Sequence, residues 1–220
     1  MGNKDFKKIQ EIFGKNFIGP EQLDSIKNNM GILSPFEMTT DIPIIPFDFD
    51  VLQKHSTDYI LILGIPTAFD NKPLTINKMR SIFGYNPYVK EPCFYDQDWY
   101  LKEYFACRNK LEFKWYLIRK KVFEEGRGKN VNEINLVLKH HKLPSAVLAC
   151  FTFFSYYYLN SNELLWKHDY IWCRDKDHNG DQIYVGRYLD PEGINKNGFN
   201  IHRHLEIRTF YSFVDEITDK

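Results

Sequence analysis

The chain has 220 residues, of which 43% are hydrophobic, 16% aromatic and 26% charged. That composition supplies a sizeable core and excludes wholesale disorder. Its 29 basic residues balance 29 acidic ones, which argues against a general nucleic-acid binder, because phosphate neutralisation needs a basic surplus.

The start, MGNKDFKKIQEIF, is polar and helical in pattern and does not read as an apolar leader. Over residues 5–17, Phe6, Ile9, Phe13 and Phe17 make one helical stripe. Pro20 opens a second helix that carries Leu23 and Ile26 inward and stops at Gly31. This helical pair marks residues 1–35 as a candidate subdomain of one compact domain over 1–220. Pro35, Pro43 and Pro46 then predict an extended surface run, followed by a short helix over Phe49–Lys54. DYILILGIP is a continuous apolar run and reads as a buried strand. PLTINKMRSIFG reads as a helix capped by Thr75 and ended at Gly84.

A proline-containing loop leads to a short element from Trp99. In KLEFKWYLIRKKVF, Leu111, Phe113, Trp115 and Leu117 alternate with Glu112, Lys114, Tyr116 and Ile118, which predicts a strand with one buried and one mixed face. NVNEINLVLKHH is a helix with Val131, Ile134 and Leu138 inward. LPSAVLACFTFFSYYYL carries no charge but falls short of the roughly 20 residues a membrane helix needs. It reads as a buried central helix with Pro144 in its first turn. DYIWCRD, DQIYVGRYL and NIHRHLEIRTFYSF predict three strands in a meander. The expected fold is therefore α+β: a mostly antiparallel sheet, a buried central helix, an N-terminal helical subdomain and a C-terminal β-meander. Cys93, Cys107, Cys150 and Cys173 form no C-x-x-C pair and read as reduced thiols of a cytoplasmic protein.

Three constellations are candidates for chemistry. DKDHNGDQIYVG begins like a calcium loop, with Asp175, Asp177, Asn179 and Gly180 in the first half. Its twelfth position is Gly186 rather than the bidentate Glu, and strand patterns flank it. An Asn-Gly type I′ hairpin is the leading reading, with Asp175 and Asp177 kept as weak cation ligands. In HRHLEIR, His202, His204, Glu206 and Arg208 share one strand face. Two imidazoles and a carboxylate suit a divalent metal. Three such positions span about 13 Å, so a neighbouring group such as His168 or Asp175 would have to join two of them. Last, Glu112 and Lys114 resemble the E-x-K half of the restriction-nuclease-like pattern. The resemblance implies that an upstream Asp, here Asp98 or Asp96, and the Glu hold Mg²⁺ while the Lys steadies the transition state. An ordinary ion pair explains the same residues.

No P-loop, G-x-S-x-G or G-x-G-x-x-G motif is present. Without a complete catalytic set, the leading expectation is a soluble, non-catalytic binding or interaction module. Trp99, Tyr100, Trp172 and Tyr184 are its expected surface aromatics. The alternatives are a metal-dependent enzyme on the His202/His204 strand and a Mg²⁺-dependent nuclease on Asp98, Glu112 and Lys114. No cofactor is evident beyond a divalent metal at these sets. A protein partner or a second copy is the expected company, since near-zero net charge eases self-association.

Overall fold

The structure, a computed structural model, describes residues 3–38, 41–138, 142–186, 198–203 and 211–218. The chain opens with α1 (Asn3–Phe13), whose Ile9 and Phe13 are buried. The predicted stripe continues to Phe17, but the helix does not. A 3₁₀ turn over Gly14–Asn16 leads into β1 (Phe17–Ile18), because Phe17 and Ile18 pair in parallel with Leu61 and Ile62. The second predicted helix breaks at Ile26 into α2 (Pro20–Ser25) and α3 (Lys27–Met30). Two short helices follow, α4 (Pro35–Met38), where Pro35 opens a helix instead of the predicted extended run, and α5 (Phe49–His55); residues 41–48 before α5 belong to no helix or strand. Next come β2 (Tyr59–Leu63), buried at every residue, and α6 (Ile76–Phe83). The Thr75 hydroxyl accepts the Lys78 N–H at the start of α6, and Gly84 follows its end, as the sequence predicts.

After α7 (Tyr104–Cys107) comes β3 (Trp115–Arg119). This strand is shorter than its alternating pattern, and Trp115 through Ile118 are all buried. The predicted mixed face is absent because β3 lies centrally, between β2 and a later strand, with both faces covered. The helix α8 (Val131–Val137) starts at a reciprocal cap between Asn130 and Glu133. The buried helix is α9 (Ala146–Leu159), in which every residue from Ala146 to Tyr156 is buried. Pro144 lies before its first turn; Ser145 is the cap, its hydroxyl accepting the Leu148 N–H. No helix among the described residues is long and apolar enough to cross a membrane.

The chain then forms β4 (Tyr170–Lys176), β5 (Gln182–Gly186), β6 (Asn200–Arg203), β7 (Tyr211–Ser212) and β8 (Glu216–Ile217). Among the described residues the strands make two four-stranded sheets, ordered β1-β2-β3-β8 and β6-β5-β4-β7. The predicted meander is β4-β5-β6, and it belongs to a sheet separate from that of β2 and β3. β7 adds to β4 in parallel, and β8 crosses over to pair with β3. Most pairings are antiparallel, and the fold class is α+β.

Alternation decides the two faces of the second sheet. Ile171, Cys173, Ile183, Val185 and Ile201 face a core shared with α9, the first sheet and the N-terminal helices. Tyr170, Trp172, Tyr184 and Tyr211 form a second cluster with Phe213 and Ile134 of α8. The crossover from β7 to β8 ties the sheets together with charge. Buried Glu216 pairs with Arg174 of β4 at 2.7 Å, and the Tyr59 hydroxyl donates to the buried Asp215 carboxylate at 2.9 Å.

Candidate functional site

The predicted calcium loop is a hairpin turn, but not the two-residue turn expected. Lys176 pairs with Gln182, and the Asp177 N–H donates to the Asp181 carbonyl at 3.0 Å. That leaves a three-residue loop in which only Gly180 is left-handed, with φ of +87°. The buried Asp177 carboxylate explains the difference. Its Oδ1 accepts the N–H groups of Asn179 and Asp181, each at 2.9 Å, and holds the chain in a right-handed turn. Its Oδ2 faces Arg203 at 3.4 Å. Burial pushes this carboxyl's pKa up, but the Asp181 and Asn179 N–H groups and Arg203 together hold it below its ordinary value. The missing twelfth ligand also has a structural reason: a Cβ on Gly186 would collide with the Asp169 main-chain oxygen.

Asp175 points elsewhere. β4 is irregular between Trp172 and Lys176, and the Gln182 side-chain amide bridges the Cys173 and Asp175 carbonyls there. The Asp175 carboxylate accepts the Ala146 N–H at 2.6 Å and the Asn109 amide at 2.9 Å. It therefore joins Ser145 in satisfying the N-terminus of α9. Asp175 and Glu112 line a shared polar hollow of about 610 Å³ together with Arg108, Lys110 and Arg174. Glu112 and Lys114 lie in the loop before β3 and form a 2.5 Å ion pair. Lys114 lowers the Glu112 pKa, and Glu112 raises that of Lys114.

Asp98 opens on a different hollow of about 390 Å³, shared with Asp96, Trp99, His202 and Arg203. Asp98 and Glu112 thus line different hollows, and Lys114 lines neither. His202 is half-buried on β6, its ring stacked on Tyr184 at 5.4 Å and edge-on to Tyr170 at 5.9 Å. Its Nε2 lies 3.5 Å from the Gln97 amide nitrogen. Burial lowers its pKa, which favours the neutral ring. His204, Glu206 and Arg208 lie outside the described residues. Among the described residues, no group of three His, Cys, Asp or Glu side chains is arranged to hold a metal ion.

The expected surface aromatics are mostly interior. Tyr100, Trp172 and Tyr184 are buried and Trp99 is partly so. Three of the four polar handles find partners: the Trp172 indole N–H donates to the Lys129 carbonyl at 3.1 Å, the Trp99 indole N–H to the Ile201 carbonyl at 3.1 Å, and the Tyr184 and Tyr211 hydroxyls meet at 3.0 Å. The exposed apolar side chains lie in other places. Ile44 is 72% exposed and Phe36 53% exposed, and both border a groove of about 320 Å³. Phe6 of α1, Pro20 and Glu21 of α2, and Ile42, Pro43 and Ile45 complete most of its walls. The extended run stays in place because Ile45 is buried and the Trp115 indole donates to the Pro43 carbonyl at 2.8 Å. Sequence reasoning missed this groove. The available signal was a proline-bounded surface stretch with more isoleucine than one side of an extended chain can bury.

A scan against protein-family models, a search of curated proteins and a search of solved structures each find no match to this chain.

Proposed function

We propose that the protein is a cytoplasmic, non-catalytic binding module that holds an apolar segment of a protein partner in the groove between α1, α2 and residues 42–45. The observation that carries this reading is Ile44, a large aliphatic side chain 72% exposed at the rim of an apolar hollow beside exposed Phe36. Concave apolar surface of this kind is the usual form of a binding site. The two polar hollows give less support to chemistry. In the hollow before β3, Asp175 is committed to the Ala146 N–H and Glu112 is paired with Lys114.

The test uses a fluorescein-labelled neutral peptide of Leu, Phe, Ala and Gln, read by anisotropy. The native protein binds it, and Ile44→Asp weakens binding at least tenfold, since a carboxylate in the groove must be desolvated. Circular dichroism confirms that the variant is folded. Equal binding by folded Ile44→Asp contradicts the reading.

A metal-dependent enzyme on the His202 strand is the second reading: Asp96, Asp98 and His202 line one hollow, although they are not arranged as a three-ligand set. Stoichiometric divalent metal in protein purified without a tag, lost in His202→Ala, would favour it over the first.

A further inference from the structure

Among the described residues that line the groove, the one charged group is the carboxylate of Glu21. Glu21 is exposed and makes no hydrogen bond or ion pair with another described residue. Two lysines of the N-terminal helices are engaged with other groups. The Lys8 ammonium sits over the Phe49 ring at 4.2 Å, and Lys27 pairs with Asp24 and Glu37. The main chain is also biased toward acceptors. Pro20 and Pro43 in the walls have no N–H, and Gln22 already accepts the Gly19 N–H through its side-chain oxygen. An occupant that brings only apolar groups leaves the carboxylate without a counter-charge. One that brings a cation completes it.

We infer that the groove's occupant is an apolar protein segment carrying a basic side chain, which meets Glu21 while its apolar residues cover Ile44 and Phe36. This rests on the binding-module reading above and names the chemistry of the partner at the same site. Charge complementarity at a rim contributes more to selectivity than to affinity, so the test compares probes that differ in one charge.

Three fluorescein-labelled apolar peptides, alike except for a central Gln, Lys or Glu, are titrated into the native protein, Glu21→Gln and Glu21→Lys at low salt. The native protein prefers the Lys peptide over the Glu peptide by about tenfold, and the preference shrinks as salt is added. Glu21→Gln, which keeps side-chain size, brings the two close to parity, and Glu21→Lys inverts the order. Because Glu21 sits in the first turn of α2, where an acid also suits the helix dipole, folding of both variants is checked by thermal denaturation. Three peptides that bind equally, with no dependence on residue 21, overturn the inference and leave the binding module standing. No binding of any peptide, or binding indifferent to Ile44→Asp, overturns both.

Discussion

Asp177 shows how one carboxylate can imitate a metal ligand while serving its own turn. Its two 2.9 Å bonds to main-chain N–H groups satisfy donors at the tip of the β4–β5 hairpin. Asp177→Ala removes the one oxygen, Oδ1, that accepts both and should cost about 2 kcal/mol in urea denaturation, whereas Asp177→Asn keeps an Oδ1 there, loses only the charge facing Arg203 and costs less. The pH dependence has a definite sign. The folded pKa lies below the unfolded one, so the stabilisation is complete above about pH 4 and is lost as pH falls through the folded value. The gap between native and Asp177→Asn stability should be widest at neutral pH and close in acid. A gap that widened in acid would contradict this role. The sequence disclosed the turn and its glycine but not the turn type, because that depends on which N–H groups the aspartate reaches.

The best-read element is α9. A charge-free run announces a buried helix, and the structure places one there, opening after Ser145 rather than with Pro144 in its first turn. Hidden from the sequence was the second cap, Asp175, which arrives from β4, 29 residues further along the chain. Ser145→Ala should cost about 1 kcal/mol, the usual loss for a helix cap. Asp175→Ala should cost about 1–3 kcal/mol, since it leaves the buried Ala146 N–H without its acceptor. The two act on one helix end, so the double variant should depart from additivity. Urea denaturation of the three variants checks this; an Asp175→Ala protein as stable as the native one contradicts the capping role. The E-x-K stretch misled for a related reason. Alternation over 111–118 suggested one strand, yet the chain enters the sheet only at Trp115. Period-two patterning does not mark where pairing begins. The two-residue strands β1, β7 and β8 are too short to show any period at all.

At the scale of the whole molecule, composition and order of elements disclosed the α+β class, the buried helix and the meander. The division into two sheets was not legible. It follows from β8 crossing to β3, a pairing set by tertiary contacts such as Glu216 with Arg174. The aromatics misled in the same way: a ring with an N–H or O–H suits a surface or a satisfied interior equally, and only the partner decides. The groove emerges only when α1, α2 and the 42–45 run come together. Its binding role is the central claim, and isoleucine methyl spectra test it most directly. On titration with the neutral apolar peptide, the methyl signals of Ile42, Ile44 and Ile45 should move together and saturate. Those of Ile183 and Ile201, beneath the His202 strand, should stay in place. Shifts confined to Ile183 and Ile201, or no shifts at all, would contradict the account.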